Sequence, residues 1–208
     1  MHAGSHDAVS FDCFGTLLSV DQPDDPAAAI AESLASRGIE RPDDWERAYA
    51  TPHQSVEPGR EQSLVAHVSA ALSSRGIDPP DSAVRDAVLA AFESPVRTRD
   101  GAGEAVAAAE HVGSVGVCSN CSVPGLVERS LERSALGPDR FDAVVTSVGC
   151  GWRKPDRRAF EAVADALGTV PADLLHVGDD PETDWAAPES VLLSERSLSE
   201  LAGRWRGD

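Results

Sequence analysis

Val9-Ser10-Phe11-Asp12-Cys13-Phe14-Gly15-Thr16-Leu17-Leu18 decides the fold. A short apolar run followed at once by polar and glycine positions reads as a buried strand that delivers Asp12 to its carboxyl end. Similar strand patterns run over residues 112–118, 141–148, 174–177 and 191–193. Helical periodicity fills the intervals over residues 104–111, 123–135 and 156–167, the last with Phe160, Val163, Ala164 and Leu167 on one face. Strand alternating with helix predicts an α/β fold with a doubly wound parallel sheet. In such sheets ligands gather at the carboxyl ends of the strands, where Asp12 falls.

Residues 23–94 differ in character, with few strand signals. Helices are expected over residues 27–37, 44–50, 63–75 and 82–92, with Gly38 and Gly76 as stops and Asp43, Glu61 and Asp81 near starts. The expected organisation is an α/β core of residues 1–22 and 95–208 with a helical cap of residues 23–94 inserted after the first strand. Pro23-Asp24-Asp25-Pro26 and Ser94-Pro95 carry the turn chemistry of hinges between the two units.

The 208 residues include 35 acidic and 18 basic side chains, for a formal net charge of -17. That balance excludes a general nucleic-acid or anionic-membrane surface, which needs clustered Lys and Arg. It looks like the acidic composition of a halophilic, salt-loving proteome. Met1-His2-Ala3-Gly4-Ser5-His6-Asp7 lacks a basic region followed by an apolar one, and no run reaches membrane-spanning length, so a cytoplasmic location is expected. Four cysteines do not suggest a secreted disulfide scaffold.

One basic residue stands apart. Lys154 is the only lysine, the remaining 17 basic side chains being arginine, and it lies in Gly151-Trp152-Arg153-Lys154-Pro155-Asp156. A lone lysine in such a chain implies a place where a compact ammonium is needed and a planar guanidinium does not serve. Ser119-Asn120 closes another strand just before a helix, where unpaired backbone donors favour an anion. Gly178-Asp179-Asp180-Pro181-Glu182-Thr183-Asp184 closes a further one with a cluster of hard oxygen ligands suited to magnesium.

Read in order, these segments resemble the haloacid dehalogenase superfamily, whose members are mostly phosphatases. The resemblance implies a Rossmann-like core and a cap that excludes water and selects a small-molecule substrate, here a phosphomonoester. It implies Asp12 as nucleophile, Lys154 and Ser119 as catalytic partners, and Gly15, Thr16 and Asn120 as phosphate-binding positions. Magnesium would be held by Asp12, the Phe14 backbone carbonyl and Asp179, with Asp180 and Asp184 completing or orienting the shell.

The chain departs from the family pattern at two places. Phe14 stands where the phosphatases carry a second aspartate that protonates the leaving group, a contribution of roughly 100- to 10,000-fold. The metal-free 2-haloacid dehalogenases lack that acid too, yet they show Ser and Asn where this chain has Asp179 and Asp180. They also take an arginine from the cap, for which Arg41, Arg47 and Arg60 are available. Paired carboxylates beside a nucleophilic one call for a cation, which weights the balance toward metal-dependent phosphoryl chemistry. Pro188 lies only four residues after Asp184, so a helix normally present there is cut short. That truncation keeps a noncatalytic binding or regulatory role open.

Cys118-Ser119-Asn120-Cys121 has redox-motif spacing, and with Cys13 and Cys150 the thiols could in principle bind zinc. Without paired CxxC spacing, buried and reduced thiols are the expectation. His176 reads as a packed core histidine and His53 as part of a surface loop.

Overall fold

The computed structural model describes residues 6–207. The first five residues of the stretch 1–7 read as lacking a leader, which are also the first five of the expected core, and the core's last residue, Asp208, lie outside the described residues. In chain order the elements are β1 (Ala8–Phe11), β2 (Leu18–Val20), α1 (Pro26–Ser36), α2 (Trp45–Ala50), α3 (Leu64–Ser73), α4 (Asp81–Ala91), β3 (Val96–Thr98), α5 (Ala102–Ala109), β4 (Ser114–Ser119) and α6 (Leu126–Glu132). They continue with β5 (Ala143–Thr146), α7 (Ser147–Cys150), α8 (Arg157–Ala166), β6 (Leu174–Gly178), β7 (Glu189–Leu192) and α9 (Leu198–Arg206).

Five strands form one parallel sheet in the order β5-β4-β1-β6-β7. β1 is central because the chain builds outward on one side through β4 and β5, then crosses to the other through β6 and β7. The carboxyl end of β1 is therefore flanked on both sides, with Phe11 in register with Val117 and Val177. Such a crossing point is where open α/β sheets bind ligands. The expected α/β class with a parallel sheet is the observed one.

The sheet is covered on both faces. Val9 and Phe11 enter a cluster that holds Ala105 and Val106 of α5 and Leu198 and Leu201 of α9. Ala8, of opposite parity, enters a second cluster with Val163, Ala164 and Leu167 of α8 and its carboxyl end. The helical face read for α8 is thus the buried one. Helices α1 to α4 contact one another, and their apolar residues, such as Ile30, Leu34, Val68 and Val84, join the same cluster as Val9 and Phe11.

Several elements differ from expectation. The run at 141–148 is expected as one strand, but Thr146 caps a turn of helix instead, its Oγ1 accepting from the Gly149 N–H at 3.2 Å. Only residues 143–146 remain as β5. The helix expected from Val123 starts at Leu126, after Gly125 in the left-handed region at φ 84°. Three more elements, β2, β3 and α9, were not expected at all. β2 and β3 pair antiparallel, Leu18 opposite Thr98 and Val20 opposite Val96, on the strand side of both hinge candidates. α9 begins with a capping box in which Ser197 and Glu200 satisfy each other's backbone donors. No described helix is long and apolar enough to cross a membrane.

Candidate active site

Asp12 follows β1 directly, and its N–H donates to the Val177 carbonyl at 2.8 Å, one step beyond the ladder. It shares the parity of Ala8 and Ser10, so its carboxylate turns to the α8 face. There it meets Lys154, which lies just before α8 and is 3% exposed. Lys154 Nζ donates to Asp12 Oδ1 at 2.9 Å and to Asp184 Oδ1 at 2.6 Å.

His176 lies underneath, fully buried. Its Nε2 is 3.1 Å from Asp184 Oδ1 and 3.5 Å from Lys154 Nζ, and its Nδ1 is 2.8 Å from Ser10 Oγ. Phe160 packs edge-on to its ring at 5.2 Å. The core position read from the sequence is therefore also one layer beneath the site.

Burial and charge set the protonation states. Burial lifts the Asp12 carboxyl to about 6, with Lys154 pulling the other way and Asp184 and Asp179 adding to the rise. For Lys154 burial alone disfavours the charge, but Asp12 and Asp184 more than offset it, and the net shift is upward. Asp184 is likewise opposed by burial, yet the His176 hydrogen bond and the Lys154 charge hold it well below the usual carboxylate range. Burial, then the Lys154 charge, drops His176 to about 4, so the ring is neutral. A neutral ring facing an ionised Asp184 donates from Nε2 and accepts the Ser10 hydroxyl at Nδ1.

Asn120 clamps the lysine's main chain. Its Nδ2 donates to the Lys154 carbonyl at 2.9 Å, and its Oδ1 accepts the Lys154 N–H at 2.8 Å. The sequence assigns Asn120 to phosphate; here both ends of its amide hold Lys154 at the edge of the cleft.

The loop after β1 holds Asp179. Gly15 has φ +95°, and any Cβ there would collide with the Asp179 carboxylate, so glycine serves both the turn and the close approach. The Thr16 hydroxyl, expected to face phosphate, is fully buried and donates to Asp179 Oδ1 at 2.8 Å. Asp180 supports its own turn, accepting from the Glu182 N–H at 2.9 Å and the Thr183 hydroxyl at 3.0 Å. Asp184 Oδ2 accepts the Asp180 N–H at 3.0 Å, and its carboxylate lies so close over Gly178 that a side chain there has no room.

These residues open on a cleft of about 440 Å³ lined by Asp12, Phe14, Ser119, Lys154 and Asp179 together with Asn120, Arg153, Asp180, Thr183 and Asp184. Among the described residues no three His, Cys, Asp or Glu side chains are gathered into a ready-made metal cage. Among the described residues, the carboxylate oxygens of this cluster that no protein donor meets are Asp12 Oδ2 and Asp179 Oδ2. Two hard anionic oxygens on a cleft suit magnesium, which takes few protein ligands and keeps water or substrate oxygens on the rest of its shell. The donor set fits that ion; Asp184, with both oxygens engaged, fits the orienting role.

The thiols are buried or half-buried and unpaired. Burial pushes Cys118 to about 12 and Cys121 to about 11, and lifts Cys13 well above its usual range. Arg153 was not singled out in the sequence, and Glu61 was read only as lying near a helix start. The visible signal was the adjacency of Arg153 to Lys154 in a chain short of basic residues.

Haloacid dehalogenase-like hydrolase domain-containing protein 3 of Homo sapiens is 38% identical over 53 residues, 26% of this chain and 21% of that protein, so the match spans about a fifth of that relative's length. The fold is shared with 2-haloacid dehalogenase from Pseudomonas syringae pv. Tomato DC3000, at TM-score 0.65 and 20% identity over 96% of this chain and 99% of that one. It is shared also with CbbY from Rhodobacter sphaeroides in complex with phosphate, at TM-score 0.56 and 19% identity over 88% and 81% of the two chains. The profile of the haloacid dehalogenase-like hydrolases matches residues 6–191, and the chain belongs to that family.

Proposed function

We propose that this hydrolase is a magnesium-dependent phosphatase of a small phosphorylated metabolite, with Asp12 as nucleophile and residues 23–94 as the cap over its site. The observation that carries this reading is the pairing of Asp12 with Lys154 beside a second carboxylate, Asp179, each keeping an oxygen free of protein donors. Asp12, Asp179 and the Phe14 carbonyl would hold the ion, which when bound withdraws charge from the phosphoryl oxygens.

In the first step an Asp12 oxygen attacks phosphorus and the bond to the ester oxygen breaks, leaving an aspartyl-phosphate and an alkoxide or phenolate. Position 14 offers no acid, so the leaving oxygen takes its proton from solvent. Lys154 neutralises the charge gathered between nucleophile and phosphoryl group, and Ser119 gives a hydroxyl to its oxygens. Water then attacks phosphorus, its proton passing to solvent, and frees phosphate and the Asp12 carboxylate.

Phe14 on the wall of the cleft favours a second reading, a 2-haloacid dehalogenase in which Asp12 displaces halide, a leaving group that needs no proton. Hydrolysis of an aryl phosphate in molar KCl, with and without magnesium, separates the two. Magnesium-dependent release of phosphate, lost in Asp12→Asn, is the expected result. Chloride release from 2-chloropropionate without metal would replace it with the dehalogenase, and turnover of neither substrate would leave a binding role.

A further inference from the structure

Arg153 is the second cation on the cleft wall, next in sequence to Lys154. The two are not equivalent. Lys154 is consumed by Asp12 and Asp184, whereas Arg153 is half exposed and uses Nη1 alone, 3.2 and 3.3 Å from the two oxygens of Glu61. No protein acceptor meets its Nη2 or Nε among the described residues.

The partner is buried and hydrogen-bonded in turn. The Glu61 carboxylate is 3% exposed, and its Oε2 accepts from the Ser147 hydroxyl at 2.5 Å. The two segments are also stitched through their main chains, Glu61 N–H to the Gly151 carbonyl at 3.0 Å and Arg153 N–H to the Gly59 carbonyl at 2.8 Å. The guanidinium is thus held from behind with part of its donor fork unspent, in a cleft otherwise rich in carboxylates. A hollow of about 460 Å³ adjoins on that side, sharing Arg153 and Lys154 and bounded by Gly59 and Pro155.

We infer that Arg153 is a specificity-determining residue that binds a second anionic group, a carboxylate or a second phosphate, on the substrate whose first phosphate meets Asp12. This role rests on the phosphatase reading. A planar fork with free donors matches either anion in a bidentate way that an ammonium does not. Arg153 and Asp12 line one cleft of about 440 Å³, so the two anionic groups belong on one small molecule. Fixing the guanidinium beforehand cuts the ordering cost of gripping that second group.

The test uses aryl phosphate as the reporter substrate at one fixed salt concentration, with ethyl phosphate, phosphoglycolate and propane-1,3-diol bisphosphate as competitors. The two competitors with a second anion are expected to bind about 10- to 100-fold tighter than ethyl phosphate, the scale of charge-assisted hydrogen bonds. In Arg153→Gln that ratio is expected to fall to within about threefold, and Arg153→Lys, which keeps the charge and loses the fork, should lie between. Whichever anion holds the larger ratio in the wild type identifies the second group. Were Arg153 only a clasp for Glu61, its replacement would shift all three competitors together and leave the ratio standing, which overturns the inference. Equal competition in the wild type overturns it as well, in both cases with the phosphatase reading intact. Absence of aryl phosphate hydrolysis overturns both.

Discussion

Phe14 is the residue at which the proposed chemistry is most exposed to test. Lining the cleft beside Asp12, it offers no proton to a departing oxygen, so turnover should depend steeply on how good the leaving group is. Phe14→Asp is expected to raise kcat on an alkyl phosphate by about 100-fold, the lower end of what a placed acid contributes, and to change kcat on an aryl phosphate much less. Steady-state rates on the two substrates check this. A second expectation concerns the buried pair of opposite sign. His176 is lowered from 6.5 to about 4, so its contribution to stability is present above 6.5 and lost as pH falls toward 4. Asp12 is raised from 3.8 to about 6, so over nearly the same window it stabilises as pH falls. The two slopes oppose each other in the wild type. In Asp12→Asn the His176 slope stands alone, and the melting temperature should drop more steeply between pH 6.5 and 4 than in the wild type. Asp12 was legible as a carboxylate at a strand end and Lys154 as the lone lysine, but the His176 contact was not. A histidine within an apolar strand looks the same in sequence whether it meets a hydroxyl or a carboxylate.

Among the elements, α8 is the one whose start bears directly on the site, because Lys154 lies two residues before its N-cap. Asp156 is its N-cap, accepting the Arg158 N–H at 3.0 Å while pairing with the Arg158 guanidinium at 2.7 Å. That hydrogen bond, more than the exposed charge itself, lowers Asp156 to about 2. Asp156→Ala is expected to cost about 1 kcal/mol by urea denaturation. Since the folded value is depressed, the cap's contribution is present above the ordinary carboxylate range and lost as pH falls through about 2. The stretch from Asp156 to Leu167 was readable because its apolar spacing repeats within one turn of helix. β2 and β3 were not, since each is three residues long and its partner lies across the whole helical insertion. α9 carried its start in Ser197 and Glu200, but its apolar face finds its purpose only against α5 and Phe11, where Trp205 sits edge-on at 6.2 Å.

For the molecule as a whole, a net charge of -17 is a self-repulsion that the fold must withstand. Its ion pairs are mostly exposed, and such pairs contribute little each, about 0–1 kcal/mol. Stability should therefore rise with screening, with a higher melting temperature in molar KCl than at low salt; a flat or falling curve would contradict that. Legible along the chain were the alternation of strand and helix, the parallel sheet, the lone Lys154, and the appearance of Asp12, Ser119 and Asp179 at strand ends. Those are properties of neighbours along the chain: periodicity, glycine at a turn, a carboxylate after an apolar run. Only the tertiary structure decided which charges meet. Lys154 is shared between Asp12 and Asp184, Asn120 and Thr16 turn to Lys154 and Asp179, and Arg153 keeps a free face by leaning on Glu61. Each of these contacts joins residues at least 30 positions apart, which come within reach only in the folded chain, and spacing along a chain cannot rank such partners against one another.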